Sequence, residues 1–156
     1  MNTDFQNAIS GLEGKCAMLL AMQPVAVAEA KGIGSVAGVY LLSQGTKHLY
    51  VGRSNNIRRR LRLHCQGARN QAPLAKQLAM LHLSQAGVPL PSAYRKGNKE
   101  FYGTDPQFCR AFKNAKVTVA SSSVRFVEER EPVAQALLEI YVALAMKTPF
   151  NDFDVH

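Results

Sequence analysis

The sequence predicts a small α/β fold in which helices flank a central mixed or antiparallel sheet. Two short apolar and aromatic runs, residues 39–43 and 48–51, are separated by a polar segment that contains Gly45, which is typical of a β-hairpin. Apolar residues recur at three- and four-residue steps in other segments, which indicates amphipathic helices. A chain of 156 residues with 47% hydrophobic residues is long enough to bury the core of one domain.

The beginning of the chain predicts a helical extension. Residues 4–22 carry apolar side chains at helical spacing, Thr3 is a suitable N-cap, and Pro24 marks the end of the helix. A glycine-rich segment then leads to the hairpin, so we expect an extension over residues 1–34. The main domain is expected over residues 35–156.

Helices predominate after the hairpin, and two further strands are predicted before the last helix. Ser54 or Asn55 is placed to cap a helix that runs through His64, and Pro132 opens a final apolar helix that ends near Lys147. The other predicted elements are a helix over residues 73–85, a short helix over residues 108–112, and strands over residues 117–120 and 124–128. Residues 87–106 are rich in Pro, Gly, Ser and Lys, which favours a long loop within an insertion at about residues 85–120.

Positive charge is concentrated in one part of the chain. Between Lys31 and Lys99 there are twelve Lys and Arg residues and no Asp or Glu, while the rest of the chain has seven basic and eleven acidic residues. An acid-free basic stretch suits a surface that follows a phosphate backbone, because each neutralised phosphate releases condensed counterions. We therefore expect a nucleic acid as partner, most simply DNA.

Other classes of protein are disfavoured by the composition. Three widely spaced cysteines without a CxxC pair predict neither a disulfide framework nor a zinc site. No apolar run is long enough to span a bilayer, and the first residues lack the pattern of a secretory signal. We expect a soluble, cytoplasmic protein, and the sequence leaves its association with the nucleoid and its oligomeric state open.

Five motifs carry the candidate chemistry. Gly38-Val39-Tyr40 is followed ten residues later by Tyr50-Val51-Gly52, and Arg60 and His64 then lie at positions i and i+4 of one helix. Glu139 lies within an apolar helix, where an unpaired carboxylate is costly to bury, and Asn151 follows it by twelve residues. With these spacings the segment from Gly38 to Asn151 resembles the GIY-YIG nuclease family, although Val39 replaces the Ile of the family name.

The resemblance implies a GIY-YIG-like fold and a metal-dependent endonuclease that hydrolyses phosphodiester bonds in DNA, either restriction-like or linked to repair and recombination. Its catalytic residues would be Tyr40, Tyr50, Arg60, His64 and Glu139. Glu139 would anchor Mg²⁺ or Mn²⁺, since a single carboxylate completed by water suits an ion that dehydrates reluctantly. Arg60 would bind the scissile phosphate, and Asn151 would brace the site.

Several alternatives stay open at this point. Tyr40, Tyr50 and His64 are all candidates to take the first proton, and Glu139 has the plain reading of an ion pair, with Arg60 as a possible partner. Noncatalytic nucleic-acid binding on the same fold is the main rival function.

The insertion is equally a surface loop or a contact region, with Tyr94, Phe101 and Tyr102 as its aromatic residues. The expected nucleic-acid contacts are Arg53, Arg58, Arg59, Arg62, Arg95 and Lys96.

Overall fold

A computed structural model describes residues 1–93 and 95–154 of the chain. It contains four strands and seven α-helices among these residues, joined in places by short 3-10 turns. In chain order the elements are α1 (Thr3–Ser10), α2 (Leu12–Ala21), β1 (Val25–Ala26), a 3-10 turn (Val27–Gly32), β2 (Gly38–Gln44), β3 (Lys47–Ser54), α3 (Ile57–Gln66), α4 (Pro73–Gln85), a 3-10 turn (Lys96–Asn98), α5 (Lys99–Thr104), α6 (Pro106–Ala120), β4 (Ser123–Glu128) and α7 (Pro132–Met146).

The chain forms two compact units, and helix α3 passes from the first to the second after Leu61. Among the described residues, the first unit comprises 1–61 and 121–151, and the second comprises 62–93, 95–120 and 152–154. All four strands therefore lie in the first unit. The domain boundary expected at residue 34 does not coincide with this division and stays a prediction.

The sheet of the first unit has the strand order β1-β4-β2-β3, and every neighbouring pair is antiparallel. Of the two sheet types that the sequence allowed, the antiparallel one is the one found. The central strand β2 is buried at all but its last residue, and its Val39 and Leu41 pack with Leu138 of α7 and Leu19 of α2. The predicted α/β fold with helices flanking a small sheet is confirmed.

The hairpin of β2 and β3 is confirmed, and its second strand runs two residues beyond the predicted end at Gly52. Gly45 adopts a positive φ of 56° in the turn, a conformation that costs glycine little. A register shift lies between Leu42 and Ser43, close to the turn. The pairs farther from the turn therefore keep one constant register.

Two predicted helix starts need correction. The single helix over residues 4–22 is in fact α1 and α2, interrupted at Gly11, and its N-cap is Asn2, whose side chain accepts from the Phe5 amide. Helix α3 is capped by Asn56, whose Oδ1 accepts from the Arg59 amide at 3.0 Å, rather than by Ser54 or Asn55. Ser54 instead accepts from the amide of Asn56 and so holds the residue that caps the helix.

The second unit is helical in its described residues, and here the prediction was least accurate. Residues 117–120, expected as a strand, form the last turn of α6, because the buried side chains of Phe108, Phe112, Ala115 and Val119 follow a helical period. The expected loop over residues 87–106 includes a 3-10 turn and α5. Tyr94 lies outside the described residues. None of the helices that the structure describes has the length and hydropathy that a membrane crossing requires.

Candidate active site

The first unit contains a cavity of about 390 Å³ at the open end of the hairpin. Its lining comes from four parts of the chain: β2, the end of β3 with the loop behind it, helix α3 and helix α7. The lining residues are Tyr40, Tyr50, Arg53, Ser54, Asn55, Arg60, Pro132, Gln135 and Glu139. Four of the five residues for which the sequence predicts a catalytic role therefore face one cavity.

Tyr40 lies against a glycine on the neighbouring strand. The register pairs Tyr40 with Gly52, and Tyr40 is fully buried. A Cβ atom built on Gly52 would overlap the hydroxyl and the adjoining ring carbon of Tyr40, and it would lie 2.9 Å from Cε1. The absence of a side chain at position 52 therefore makes room for the Tyr40 ring.

Gly38 also lacks a side chain where a neighbouring group lies close, on the side of β2 that faces β4. A Cβ atom at this position would overlap the carbonyl oxygen of Val127 and lie 3.0 Å from the amide nitrogen of Glu129. Gly38 is paired with Glu128 on β4. The glycines of the Gly38-Val39-Tyr40 and Tyr50-Val51-Gly52 motifs thus each allow a neighbouring strand or ring to approach closely, which any other residue would obstruct.

The two tyrosines form a pair with Arg60. Their ring centroids are 6.4 Å apart, and the Arg60 guanidinium hydrogen-bonds both phenol oxygens. Burial raises the pKa of Tyr40 and of Tyr50, and the charge and hydrogen bonds of Arg60 oppose this rise without cancelling it. Both hydroxyls are therefore protonated at neutral pH in this state of the protein.

Glu139 projects from α7 into the cavity and forms an ion pair. Arg53 Nε donates to Glu139 Oε2 at 3.0 Å, with 46% of the arginine side chain and 20% of the glutamate side chain exposed. Burial raises the pKa of Glu139, and the positive charges of Arg53 and Arg60 oppose this. The sequence suggested Arg60 as a possible partner of this carboxylate, whereas the ion pair is made by Arg53.

Gln135 is a buried polar residue of the cavity that the sequence analysis missed. Its Nε2 donates to the carbonyl oxygen of Glu129 at 2.6 Å and to Asn55 Oδ1 at 3.2 Å. It precedes Glu139 by one helical turn and so shares its face of α7. The sequence signal that could have identified Gln135 is its amide side chain four residues before Glu139 in an otherwise apolar helix. Gln135 and Asn55 together tie α7 to the loop behind β3.

Asn151 bonds to the backbone of the edge strand β3. Its Oδ1 accepts from the Val51 amide at 2.8 Å, and its Nδ2 donates to the Val51 carbonyl, also at 2.8 Å. The Thr148 hydroxyl donates to the same Oδ1, and the Phe150 amide donates to the Leu49 carbonyl. The side chain thus satisfies backbone groups that an edge strand would leave without a strand partner.

The model of the GIY-YIG catalytic domain matches residues 36–86 of the chain. This segment, about a third of the chain, is similar to the GIY-YIG catalytic domain. No curated protein and no solved structure matches the chain in the corresponding comparisons. The GIY-YIG match contains Tyr40, Tyr50, Arg60 and His64, and it ends before α7. The role of Glu139 is thus supported by its position in the cavity and not by the matched segment.

Not every predicted site residue faces the cavity. His64 is fully buried on α3 in the second unit and is absent from the cavity lining. Arg58, Arg59 and Arg62 are exposed on the same helix, and Arg95 and Lys96 are exposed in the second unit. Arg53 differs from these arginines, since it lies in the cavity wall.

The cavity fits one hard divalent cation better than a multi-ligand metal centre. Among the described residues no three His, Cys, Asp or Glu side chains cluster as a metal site, and Glu139 is the carboxylate of the lining. Of its two oxygens, Oε2 is the one hydrogen-bonded within the described part of the chain. Mg²⁺ and Mn²⁺ accept such a site, with water and substrate phosphate as the other ligands.

Proposed function

We propose that this chain is a divalent-metal-dependent endonuclease that hydrolyses phosphodiester bonds in DNA. The observation that carries the proposal is the convergence of Tyr40, Tyr50, Arg60 and Glu139 on one cavity. Two guanidinium groups, two phenols and one carboxylate supply hydrogen-bond donors for a phosphate together with one anchor for a cation. The basic stretch from Lys31 to Lys99 supports a polyanionic substrate.

Arg60 is the residue we assign to the scissile phosphate. Its planar fork binds two phosphate oxygens at once, which a lysine cannot do. The hydrogen bonds to both tyrosines orient this fork before substrate arrives. Arg60 therefore acts without a costly rearrangement, which is how preorganised donors stabilise charge in a transition state.

Glu139 is the residue we assign to the metal ion. A bound Mg²⁺ or Mn²⁺ would stabilise the charge on the phosphate and on the departing alkoxide. A cation would also offset the burial that raises the pKa of Glu139. Arg53 pairs with the Glu139 carboxylate when no metal ion is bound. Once a cation took its place, Arg53 would be available to contact the phosphate, which is the contact predicted for it.

The tyrosine hydroxyls orient the attacking water and the phosphate in this proposal. With both pKa values raised, the phenols are hydrogen-bond donors in the protein alone. A phenol could accept the first proton only if a bound metal ion lowered its pKa, so Tyr40, Tyr50 and His64 all stay candidates for this step. The three cysteines are free thiols, which supports a cytoplasmic site of action.

Plasmid cleavage tests the proposal. Supercoiled DNA and a labelled single strand are incubated with the protein in Mg²⁺, in Mn²⁺ and in EDTA. Glu139→Gln is expected to abolish cleavage, whereas the matched change Glu13→Gln, on the exposed face of α2, should leave it intact. Cleavage that persists in EDTA, or that survives Glu139→Gln, would refute the proposed role of the metal.

Noncatalytic binding is the second candidate, and the Arg53–Glu139 ion pair is the observation that favours it. In that case Glu139 would serve to hold Arg53 rather than a cation. Binding that falls steeply with salt, together with no cleavage under any metal condition, would decide for a binder.

A further inference from the structure

A second cavity of about 390 Å³ lies within the second unit and shares no lining residue with the first. Three of its lining side chains are cationic: Arg69, Lys76 and Lys99. Asn70 adds a neutral amide, and no carboxylate contributes to the lining among the described residues. The cavity therefore presents positive charge and hydrogen-bond donors to whatever enters it.

Arg69 is held in place at this cavity. Its Nη1 donates to the Lys99 carbonyl oxygen at 3.0 Å, and its guanidinium lies over Gly103, where a Cβ atom would be 3.2 Å from Nη2. A guanidinium has five N–H donors, and within the described residues this bond uses one of them. An oriented guanidinium with donors to spare suits an oxyanion.

The wall of the cavity is also fixed. The Tyr102 hydroxyl donates to the Pro91 carbonyl, and its ring packs edge-on against Phe108 with the ring centroids 4.8 Å apart. Tyr102 is 2% exposed. The aromatic part of the cavity wall is thus packed within the unit.

The cations of the cavity repel one another. Burial lowers the pKa of Lys76, the charge of Arg69 lowers it further, and Asp152 acts in the opposite direction. Lys76 also lies in the first turn of α4, where the helix dipole is positive. The second unit as a whole has nine Lys and Arg residues against four Asp and Glu residues. A bound anion would relieve this repulsion.

The geometry points to a phosphate-binding site formed by Arg69, Lys76 and Lys99, which takes a backbone phosphate of the nucleic acid. The choice of nucleic acid as the source of this phosphate rests on the proposed nuclease function. The residues differ from the contacts predicted from sequence for this region, Arg95 and Lys96, which do not line the cavity. The site would hold the strand independently of the bond-breaking step.

Salt-dependent binding in EDTA tests the site without any cleavage. A fluorescent DNA duplex is titrated with the full-length protein by anisotropy at several potassium chloride concentrations. Each lost phosphate contact lowers the slope of log affinity against log salt by about 0.9, which is about eightfold in affinity at ~0.1 M salt. Because the site takes one phosphate, we expect this full loss for the double variant Arg69→Gln/Lys99→Gln and a smaller loss for Lys99→Gln.

The matched control is Arg110→Gln/Lys113→Gln, which removes two exposed charges of α6 outside the cavity. An equal loss of slope in both double variants would overturn the site in favour of a diffuse basic surface. An unchanged slope in Lys99→Gln and in the cavity double variant, with circular dichroism showing both folded, would overturn it as well.

Inorganic phosphate separates the two possible sources of the ligand. If millimolar phosphate raises the unfolding temperature of the wild type but not of Arg69→Gln/Lys99→Gln, while the duplex slopes stay equal, the site binds a small phosphate and the nucleic-acid assignment is wrong. These outcomes are independent of catalysis. Loss of cleavage in Glu139→Gln, by contrast, tests the proposed function alone.

Discussion

Gly52→Ala is the substitution that tests most directly how the site is built. The new methyl group would overlap the Tyr40 hydroxyl and ring, and Tyr40 is fully buried, so the ring must shift against its neighbours. Forcing extra volume into a packed core costs about 2 kcal/mol, and displacing the hydroxyl from Arg60 costs about 1.5 kcal/mol more. Relief of the entropy cost of a strand glycine returns about 0.7 kcal/mol. We expect the free energy of unfolding to fall by about 3 kcal/mol.

Urea denaturation followed by far-ultraviolet circular dichroism measures this loss, since the chain has no tryptophan for fluorescence. With a slope of about 2 kcal/mol per molar, the midpoint should fall by about 1.5 M. Gly34→Ala is the matched control, because no atom lies within 4 Å of the new methyl group and its φ is not positive. Its midpoint should stay the same or rise slightly.

The double variant Tyr40→Phe/Gly52→Ala completes the test. Removing the hydroxyl takes away the closest of the clashing atoms, so the two substitutions together should cost less than the sum of each alone. A Gly52→Ala protein with the wild-type midpoint, or a double variant with fully additive losses, would refute the close-approach account of this glycine.

Three further predictions follow from other contacts of the site. Glu139→Gln should raise the free energy of unfolding at neutral pH by about 1 kcal/mol. Burial raises the folded-state pKa of this carboxyl above its unfolded value. Wild-type stability should therefore fall below that of the variant as pH rises through the folded-state pKa, and the two stabilities should converge in acid. Urea titrations at several pH values measure this difference. Asn151→Ala should lower the free energy of unfolding by about 2 kcal/mol, because the Val51 amide and carbonyl lose their hydrogen-bond partner. Asn7→Ala, on the exposed face of α1, should change it little in the same assay. Arg60→Lys keeps the charge but loses the fork, so cleavage should slow about 100-fold while duplex affinity changes little; equal rates would remove Arg60 from the phosphate.

The sequence predicts best where a local pattern and a tertiary requirement coincide. The hairpin is of this kind, because alternating apolar residues and a turn glycine specify both strands without reference to the rest of the chain. Helix α7 is similar, since Pro132 and the preceding acidic residues mark its start. A partner for Glu139 was predictable because an unpaired carboxylate in an apolar helix is costly to bury, and Arg53 is that partner.

The errors arise where long-range contacts decide the outcome. Val117 and Val119 have high strand propensity, but α6 is stabilised by side chains up to eleven residues earlier, so the helix continues through them. The choice of Arg53 over Arg60 as partner of Glu139 depends on how β3 meets α7, and no spacing along the chain reveals it. The same is true of the contact between Gln135 and Asn55.

The register of the hairpin brings Tyr40, Tyr50 and Gly52 together. Tyr40 lies opposite Gly52, and Tyr50 precedes Gly52 by two residues, so both tyrosines and the glycine lie on one face of the hairpin. Gly52 makes room for the Tyr40 ring, which leaves Tyr50 as the diagonal neighbour of Tyr40 above the same cavity. The register shift at Leu42 and Ser43 lies on the turn side of these pairs and does not disturb them. Because a slip by one residue would move a tyrosine to the opposite face, Asn151, which pins Val51 between Tyr50 and Gly52, holds the register on which the site depends.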